Sequence, residues 1–122
     1  MTSKQYSPIA LAFLGDGVFE LMVRERLLES GTMKANTLHS LAVERVNAGA
    51  QARAYHALEE ALTPQEADIL KRGRNANTAK TPKNMSVTDY RKATGIEALF
   101  GWLYLRGEHA RIRVLFDIVW GA

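Results

Sequence analysis

Hydrophobic residues recur at helical spacing along most of the chain, and no stretch alternates apolar and polar residues in the manner of a strand. Ser7 followed by Pro8 predicts the start of a first helix, and Gly31 predicts its end, which places this helix at about 8–30. The segment is apolar on almost every side, a pattern typical of a buried helix. We therefore expect an all-α protein in which a long first helix is mostly buried.

Two weaker helical stripes follow the first helix. Asn36 is expected to cap a second helix, whose apolar residues recur at helical spacing. A break is expected at 47–49, after which the same kind of stripe continues to about Leu62. The pattern leaves open whether this stretch is a third helix or a kinked continuation of the second.

The second half of the chain has clearer helix boundaries. Residues 63–66, Thr-Pro-Gln-Glu, form a capping box, and Gly73 is expected to close the helix that it opens. Ser86 predicts the start of the next helix, and Gly107 predicts its end. A last amphipathic helix follows, with Arg111 on its polar face.

Composition limits the class of protein. The 122 residues, 47% of them hydrophobic, are expected to form one domain over 1–122. Without cysteine there is no disulfide, zinc-thiolate site or thiol redox chemistry. The apolar run of the first helix is too interrupted for a membrane span and the opening residues do not form a secretory leader, so we expect a cytoplasmic protein with no membrane partner. The net charge of +3 permits a polyanionic partner without requiring one.

Two acids lie in surroundings that are otherwise apolar or small. Asp16 stands between Gly15 and Gly17 in the first helix, and Glu97 interrupts an apolar stripe of the helix that begins after Ser86. A buried carboxylate is costly unless it is paired or holds a cation. Either each acid pairs with a buried arginine, or the two converge on a hard divalent cation such as Mg²⁺. The two glycines predict close approach of another backbone or of a ligand.

A polar stripe continues from Asp16 along the first helix. Glu20 and Arg24 follow it at intervals of four residues and therefore share its face. Glu20 is open to three interpretations: a metal ligand, a partner of a ligand, or half of an ion pair with Arg24. The spacing favours the ion pair.

Positive residues are concentrated between residues 71 and 83, a segment without any acid. A-form RNA offers phosphates and 2′-hydroxyls rather than a readable major groove, which suits recognition by lysine, arginine and asparagine. The alternative is an ordinary solvated surface. Contacts to phosphates predict an affinity that falls steeply with salt. The candidate RNA-binding residues are Lys71, Arg72, Arg74, Asn75, Lys80 and Lys83.

Three segments, in order, resemble one known family. Residues 11–20, LAFLGDGVFE, resemble the signature helix of the ribonuclease III catalytic domain, and residues 94–105, TGIEALFGWLYL, resemble its second acidic motif. The segments 71–76 and 81–84 are similar to those of the small bacterial branch called Mini-ribonuclease III, which lacks a separate double-stranded-RNA-binding domain. The resemblance covers nearly the whole chain.

The resemblance implies a helical catalytic domain that forms a homodimer and cleaves double-stranded RNA, each subunit cutting one strand. It implies that Asp16 and Glu97 are the catalytic, metal-binding acids, with Mg²⁺, or Mn²⁺ in its place, activating water to leave 5′-phosphate and 3′-hydroxyl ends. The implied substrate is structured RNA such as a precursor of large-subunit ribosomal RNA, and a ribosomal protein or ribosome-associated partner is a further expectation.

The sequence departs from the larger members of this family at two positions. They carry a glutamate where this chain has Ala12 and an aspartate where it has Thr94. Neither residue can ligate a metal as a carboxylate, so the resemblance favours one firmly held Mg²⁺. The same losses are expected of the small branch.

The terminal helices carry a large apolar set, for which core packing and a dimer interface are alternatives; the resemblance favours the dimer. The set is Trp102, Tyr104, Leu115, Phe116, Val119 and Trp120. The leading hypothesis for the whole chain is a Mg²⁺-dependent endoribonuclease. The alternatives are a non-catalytic RNA-binding or ribosome-associated helical domain, and a helical protein-interaction module without RNA affinity.

Overall fold

The structure, a computed structural model, describes residues 6–31, 34–76, 81 and 86–122. These residues form six α-helices and no strand, which confirms the all-α prediction. No helix among them is both long and apolar enough to cross a bilayer. The helices are α1 (Pro8–Glu29), α2 (Ala35–Val46), α3 (Ala48–Glu59), α4 (Pro64–Asn75), α5 (Val87–Leu105) and α6 (His109–Gly121).

Helix α5 is the centre of the bundle. Between Ala93 and Leu103 every residue except Glu97 is buried. Helices α1, α3 and α4 all pack against α5, so little of this middle segment reaches solvent. The acid therefore interrupts the most buried segment of the described chain.

Helix α1 is buried on one face only, so the prediction of a mostly buried first helix was wrong. Leu11, Phe19 and Val23 face the core, whereas Phe13 is 86% exposed and Leu21 is 64% exposed. The all-round apolar pattern failed to separate a core face from an apolar face that this single chain leaves open.

The terminal apolar residues mostly belong to the core, which corrects their interpretation as a dimer interface. Trp102, Leu115, Phe116 and Val119 are buried, and Phe116 contacts Phe19 edge to face with ring centroids 5.6 Å apart. Tyr104 of the same set is exposed, and Trp120 is half-buried beneath the Arg45 guanidinium.

Side-chain caps fix several helix starts as predicted. The Ser7 hydroxyl accepts from the Ala10 amide at 3.1 Å, and the Ser86 hydroxyl accepts from the Asp89 amide at 2.9 Å. The Asn47 side chain caps α3, which makes α3 a separate helix. Capping satisfies amide groups that the first turn of a helix leaves unpaired.

Two predicted boundaries were wrong. Asn36 lies inside α2, whose N-cap residue is Lys34, without a side-chain capping bond. Gly73 lies inside α4 and is buried against α5, where a Cβ would come within 2.9 Å of the Gly95 Cα. This glycine therefore provides close helix packing instead of ending the helix.

A buried ion pair joins the start of α4 to α6. Glu66 completes the predicted capping box with Thr63 and is only 4% exposed. The Arg111 guanidinium donates to both Glu66 carboxylate oxygens at 2.8 Å and to the Ala61 carbonyl oxygen at 2.8 Å. Arg111 thus belongs to an internal network, which corrects its assignment to the polar face of the last helix. Its hydrogen bonds lower the pKa of Glu66 below the ordinary value.

Candidate active site

Two glycines set the distance between α1 and α5. A Cβ on Gly15 would lie 1.6 Å from the Glu97 carbonyl oxygen, and a Cβ on Gly101 would lie 2.0 Å from the Leu11 carbonyl oxygen. No side chain fits at either position, so the two backbones are in contact. Because Gly15 touches Glu97 itself, the residue after Gly15, Asp16, is brought alongside Glu97.

The predicted approach of another backbone holds for only one of the two glycines. Gly15 meets α5, whereas nothing in the described chain lies within 4 Å of a Cβ on Gly17. No other backbone of the described chain approaches Gly17, and the approach of a ligand there stays a prediction. Gly17 lies on the open side of α1, four residues after the exposed Phe13.

The carboxyl groups of Asp16 and Glu97 lie within hydrogen-bonding reach of each other. Asp16 is exposed and Glu97 is half-buried, so the pair is at the edge of the core and open to solvent. The expectation that Asp16 is buried was wrong, because its helix faces solvent on this side. Among the described residues, no lysine, arginine or histidine forms a salt bridge with either acid.

The electrostatics of the pair follow from burial and from two like charges. Burial is the larger cause, and the hydrogen bond and charge of Asp16 add to it, raising the pKa of Glu97 from 4.5 to about 8. In the free protein Glu97 therefore keeps its proton at neutral pH, because a second negative charge beside Asp16 is unfavourable. A cation supplied from outside the chain would favour the ionised pair.

The donor set of this pair fits a hard divalent cation. Mg²⁺ prefers one or two carboxylates together with water and phosphate oxygens. The described part of the chain holds no cluster of three or more acidic or histidine side chains, so the two acids would share the ion with water or substrate. The residues present therefore suit Mg²⁺ better than a metal that needs nitrogen or sulfur ligands.

A third element reaches the acids through Gln51 of α3, which sequence reasoning missed. Its amide faces Glu97 and favours the ionised form of that acid. Gln51 is only 2% exposed, yet its Nε2 makes no hydrogen bond of good geometry within the described chain. The available signal was its position four residues before Tyr55, inside the apolar stripe of α3.

The two positions that depart from the larger family members provide no further ligands. Ala12 and Thr94 are 7% and 6% exposed. The Thr94 hydroxyl donates to the Tyr90 carbonyl oxygen at 2.9 Å, so it is satisfied inside its own helix. Glu20 is likewise engaged, because Arg24 Nε donates to it at 3.1 Å; the ion-pair interpretation of this residue is confirmed.

The basic residues near the end of α4 divide between two sides of the helix. Arg74 is half-buried beside the Tyr55 hydroxyl, one turn of α3 beyond Gln51. Arg72 instead lines a groove with Tyr6 and Trp102. Of the candidate RNA-binding residues, Arg74 is therefore on the side of the acids. Lys71, Arg72 and Asn75 are exposed, and Lys80 and Lys83 lie outside the described residues.

Comparison with known proteins places this helical arrangement in a family. The Ribonuclease III domain matches residues 9–108. The chain belongs to the ribonuclease III family. Its assignment to the Mini-ribonuclease III branch, inferred above from three motifs, is confirmed by its relatives. Membership of this family makes the chain an endoribonuclease.

The relatives match over most of their length. Mini-ribonuclease 3 of Symbiobacterium thermophilum is 49% identical over 105 residues, which cover 86% of this chain and 81% of that protein. Mini-ribonuclease 3 of a Thermoanaerobacter species is 41% identical over 112 residues, covering 92% and 79%. A crystal structure of a Fusobacterium nucleatum protein superimposes with a TM-score of 0.84 at 34% identity, covering 94% of this chain and 92% of that one. The ribonuclease III fold is thus shared along nearly the whole chain.

Proposed function

We propose that this ribonuclease III family member cleaves double-stranded RNA in a Mg²⁺-dependent reaction, with Asp16 and Glu97 as the catalytic metal ligands and Mn²⁺ as an alternative ion. The observation that carries the proposal is the facing pair of carboxyl groups that no described basic residue neutralises. A pair of this kind is stable in its ionised form only with a cation between or beside the two acids.

The two acids contribute differently to the proposed reaction. Glu97 is held in the core segment of α5 and fixes the position of the site, whereas Asp16 lies on the exposed side of α1, where an RNA backbone can approach. When bound, Mg²⁺ supplies positive charge and lowers the pKa of coordinated water. In the hydrolysis a water oxygen adds to phosphorus and the bond to the 3′ oxygen breaks. The 3′ oxygen takes a proton, which leaves 5′-phosphate and 3′-hydroxyl ends.

The basic residues of α4 and the segment after it are the proposed contacts to the RNA backbone. Among the members that the structure describes, Arg74 lies on the side of the acids, because it is beside Tyr55 of α3. Lys71 and Arg72 add exposed positive charge, with Arg72 on the other side of α4, and the exposed Asn75 adds an amide. Lys80 and Lys83 complete the proposed set. Phosphate contacts make binding weaker as salt concentration rises.

The exposed apolar face of α1 supports the homodimer as part of this proposal. Phe13, Gly17 and Leu21 follow one another at intervals of four residues, with Phe13 86% exposed and Leu21 64% exposed. An apolar row of this kind is typical of an interface, and the bare Gly17 between two large residues leaves room for a partner side chain. Two subunits would present two acid pairs, one for each RNA strand.

The natural substrate in this proposal is a precursor of large-subunit ribosomal RNA, processed in the cytoplasm. A ribosomal protein or another ribosome-associated protein is the proposed macromolecular partner besides RNA and the second subunit. Residues 1–122 act as one catalytic domain. The basic surface and the facing acids support the RNA part of this proposal.

Cleavage and binding of a duplex RNA by the Asp16→Asn and Glu97→Gln variants test the function. We expect both variants to lose cleavage in Mg²⁺ while they retain RNA binding, because the amides keep the side-chain shape but remove the charge. Binding without cleavage by the unmodified protein would contradict the proposal and favour a non-catalytic RNA-binding domain. Absence of RNA affinity at low salt would favour a protein-interaction module.

A further inference from the structure

Gln51 differs from the other buried polar residues of the described chain in its hydrogen bonding. It is 2% exposed, and among the described residues its Nε2 is the one buried side-chain nitrogen or oxygen atom that lacks a hydrogen-bond partner. By contrast, the two other buried polar residues, Glu66 and Thr94, both form hydrogen bonds. A buried donor without a partner destabilises a fold, so its retention calls for a reason other than stability.

The surroundings of Gln51 indicate that reason. Its amide faces the carboxyl group of Glu97, which Asp16 reaches from α1. Glu97 is thus approached by a second acid from one helix and by a neutral donor from another. The amide and the carboxyl group are close enough to influence each other, although the geometry at Nε2 falls short of a full hydrogen bond.

We propose that Gln51 is a positioning residue, whose Nε2 donates to one Glu97 carboxylate oxygen when the acids hold their divalent cation and so orients the other oxygen toward that ion. This inference rests on the proposed function of the acid pair. Partners that hydrogen-bond to a metal ligand fix its orientation, and their loss typically weakens metal binding.

A neutral amide suits this position for an electrostatic reason. A lysine or arginine here would neutralise the acids and compete with the ion, as Arg111 neutralises Glu66 elsewhere in the bundle. An additional carboxylate would increase the like-charge repulsion at Glu97. An apolar side chain would fill the space but would leave the Glu97 carboxylate without a fixed orientation. Glutamine orients the ligand without changing the charge of the site.

The test compares Gln51→Met with the matched control Gln65→Met, in which an exposed glutamine of α4 is changed in the same way. Methionine has a similar length and no hydrogen-bond donor. Titration with Mn²⁺ alone should show an affinity roughly 10- to 100-fold weaker for Gln51→Met. The thermal midpoint of metal-free Gln51→Met should equal or exceed that of the unmodified protein, because an unpaired buried donor is removed. Gln65→Met should leave the Mn²⁺ affinity unchanged.

A purely structural role for Gln51 predicts the opposite pattern. The metal-free thermal midpoint would fall in Gln51→Met while the Mn²⁺ affinity stayed intact, and that result would overturn the inference. In steady-state cleavage of a duplex RNA, a positioning role lowers kcat and leaves KM for the RNA nearly unchanged. A rise in KM alone would contradict it.

A second measurement observes Gln51 directly. In the unmodified protein, labelled with ¹⁵N at its glutamine side chains, the amide resonances of Gln51 should shift when Mg²⁺ is added, and those of Gln65 should not. The Gln51 resonances are assigned as those missing from the spectrum of Gln51→Met. Gln51 resonances that do not respond to saturating Mg²⁺ would overturn the inference. If Glu97→Gln retained full Mn²⁺ affinity, the proposed function itself would fail; if Glu97→Gln lost it and Gln51→Met did not, only the role of Gln51 would fail.

Discussion

Two glutamates of this bundle lie in or beside the core and have opposite electrostatic surroundings. Glu66 receives two hydrogen bonds from Arg111, and its pKa is lowered. Glu97 has Asp16 and Gln51 as neighbours, without a cationic partner in the described chain, and its pKa is raised to about 8. One acid is therefore neutralised by an arginine of the chain, whereas the other is kept neutral by its own proton up to higher pH.

The different surroundings of the two glutamates indicate a structural role for Glu66 and a chemical role for Glu97. A carboxylate that an arginine satisfies on both oxygens is complete, and it ties α4 to α6. A carboxyl group beside another acid is unfavourable in its ionised form, so its ionisation costs stability in the free protein. Arginine pairing, one of the two alternatives for the acids singled out in the sequence, does occur here, but at Glu66.

The largest expected effect contrasts the two glutamates in cleavage of a duplex RNA. Glu97→Gln should lower the cleavage rate by more than roughly 100-fold, because loss of an outer partner of a metal ligand already costs about 10- to 100-fold. Glu66→Gln should keep nearly full activity at a temperature where it remains folded. Single-turnover cleavage measures both, and circular dichroism checks folding. Equal losses of cleavage rate in two folded variants would contradict the different roles assigned to Glu97 and Glu66.

The next largest effect is on stability, and here the site of Glu66 matters more than the site of Glu97. Arg111→Met leaves the buried Glu66 carboxylate unpaired and should lower the free energy of unfolding by about 2–4 kcal/mol, less than for a fully buried pair because the Arg111 side chain is 29% exposed. Urea denaturation of the metal-free protein measures the change. Arg24→Met, at an exposed pair with Glu20, is the control and should cost less than about 1 kcal/mol. Similar losses in both variants would show that burial does not decide the contribution.

The glycine contact that creates the acid pair gives a third comparison. Gly15→Ala places a Cβ where the Glu97 carbonyl oxygen lies, so α1 and α5 must separate, at a cost of about 1–3 kcal/mol or more. The acids should separate with the helices, and Mn²⁺ affinity should fall. Gly49→Ala, whose Cβ would have its nearest neighbour at 3.4 Å, is the control and should be neutral or slightly stabilising. A Gly15→Ala variant with unchanged stability and ion affinity would contradict the contact.

The last comparison concerns how each of the two glutamates contributes to the pH dependence of the protein's stability. Because the pKa of Glu97 in the folded protein is about 8 instead of 4.5, its stabilising contribution is full below pH 4.5 and is lost as pH rises through about 8. Because the pKa of Glu66 is lowered from 4.5, its contribution is full above pH 4.5 and is lost as pH falls below that value.

Thermal midpoints of the protein in a chelator measure this difference across the pH range. Glu97→Gln should flatten the decline between about pH 4.5 and 8, and Glu66→Gln should flatten the decline below pH 4.5, each by a few degrees for about every 1 kcal/mol of effect. Added Mg²⁺ should reduce the decline between about pH 4.5 and 8 in the unmodified protein, since the ion stabilises the folded state that binds it. A decline over the same pH range that survives in Glu97→Gln would assign it to another group.

The sequence alone determined the features that depend on a few neighbouring residues. The caps at Ser7, Ser86 and the Thr63 capping box satisfy amides within one helical turn, so they could be read without knowledge of the fold. The motifs around Asp16 and Glu97 indicated the family in the same way, because their residue types and order are properties of the chain.

Only the tertiary structure decided which surfaces of these helices are buried and which charges meet. It made α5 the central helix, left one face of α1 open, and placed Gly73 inside α4. It also paired Arg111 with Glu66 and brought Gln51 to Glu97, contacts between residues far apart in the sequence. Helical periodicity shows that a face is apolar, but the neighbour that covers it depends on how all the helices pack together.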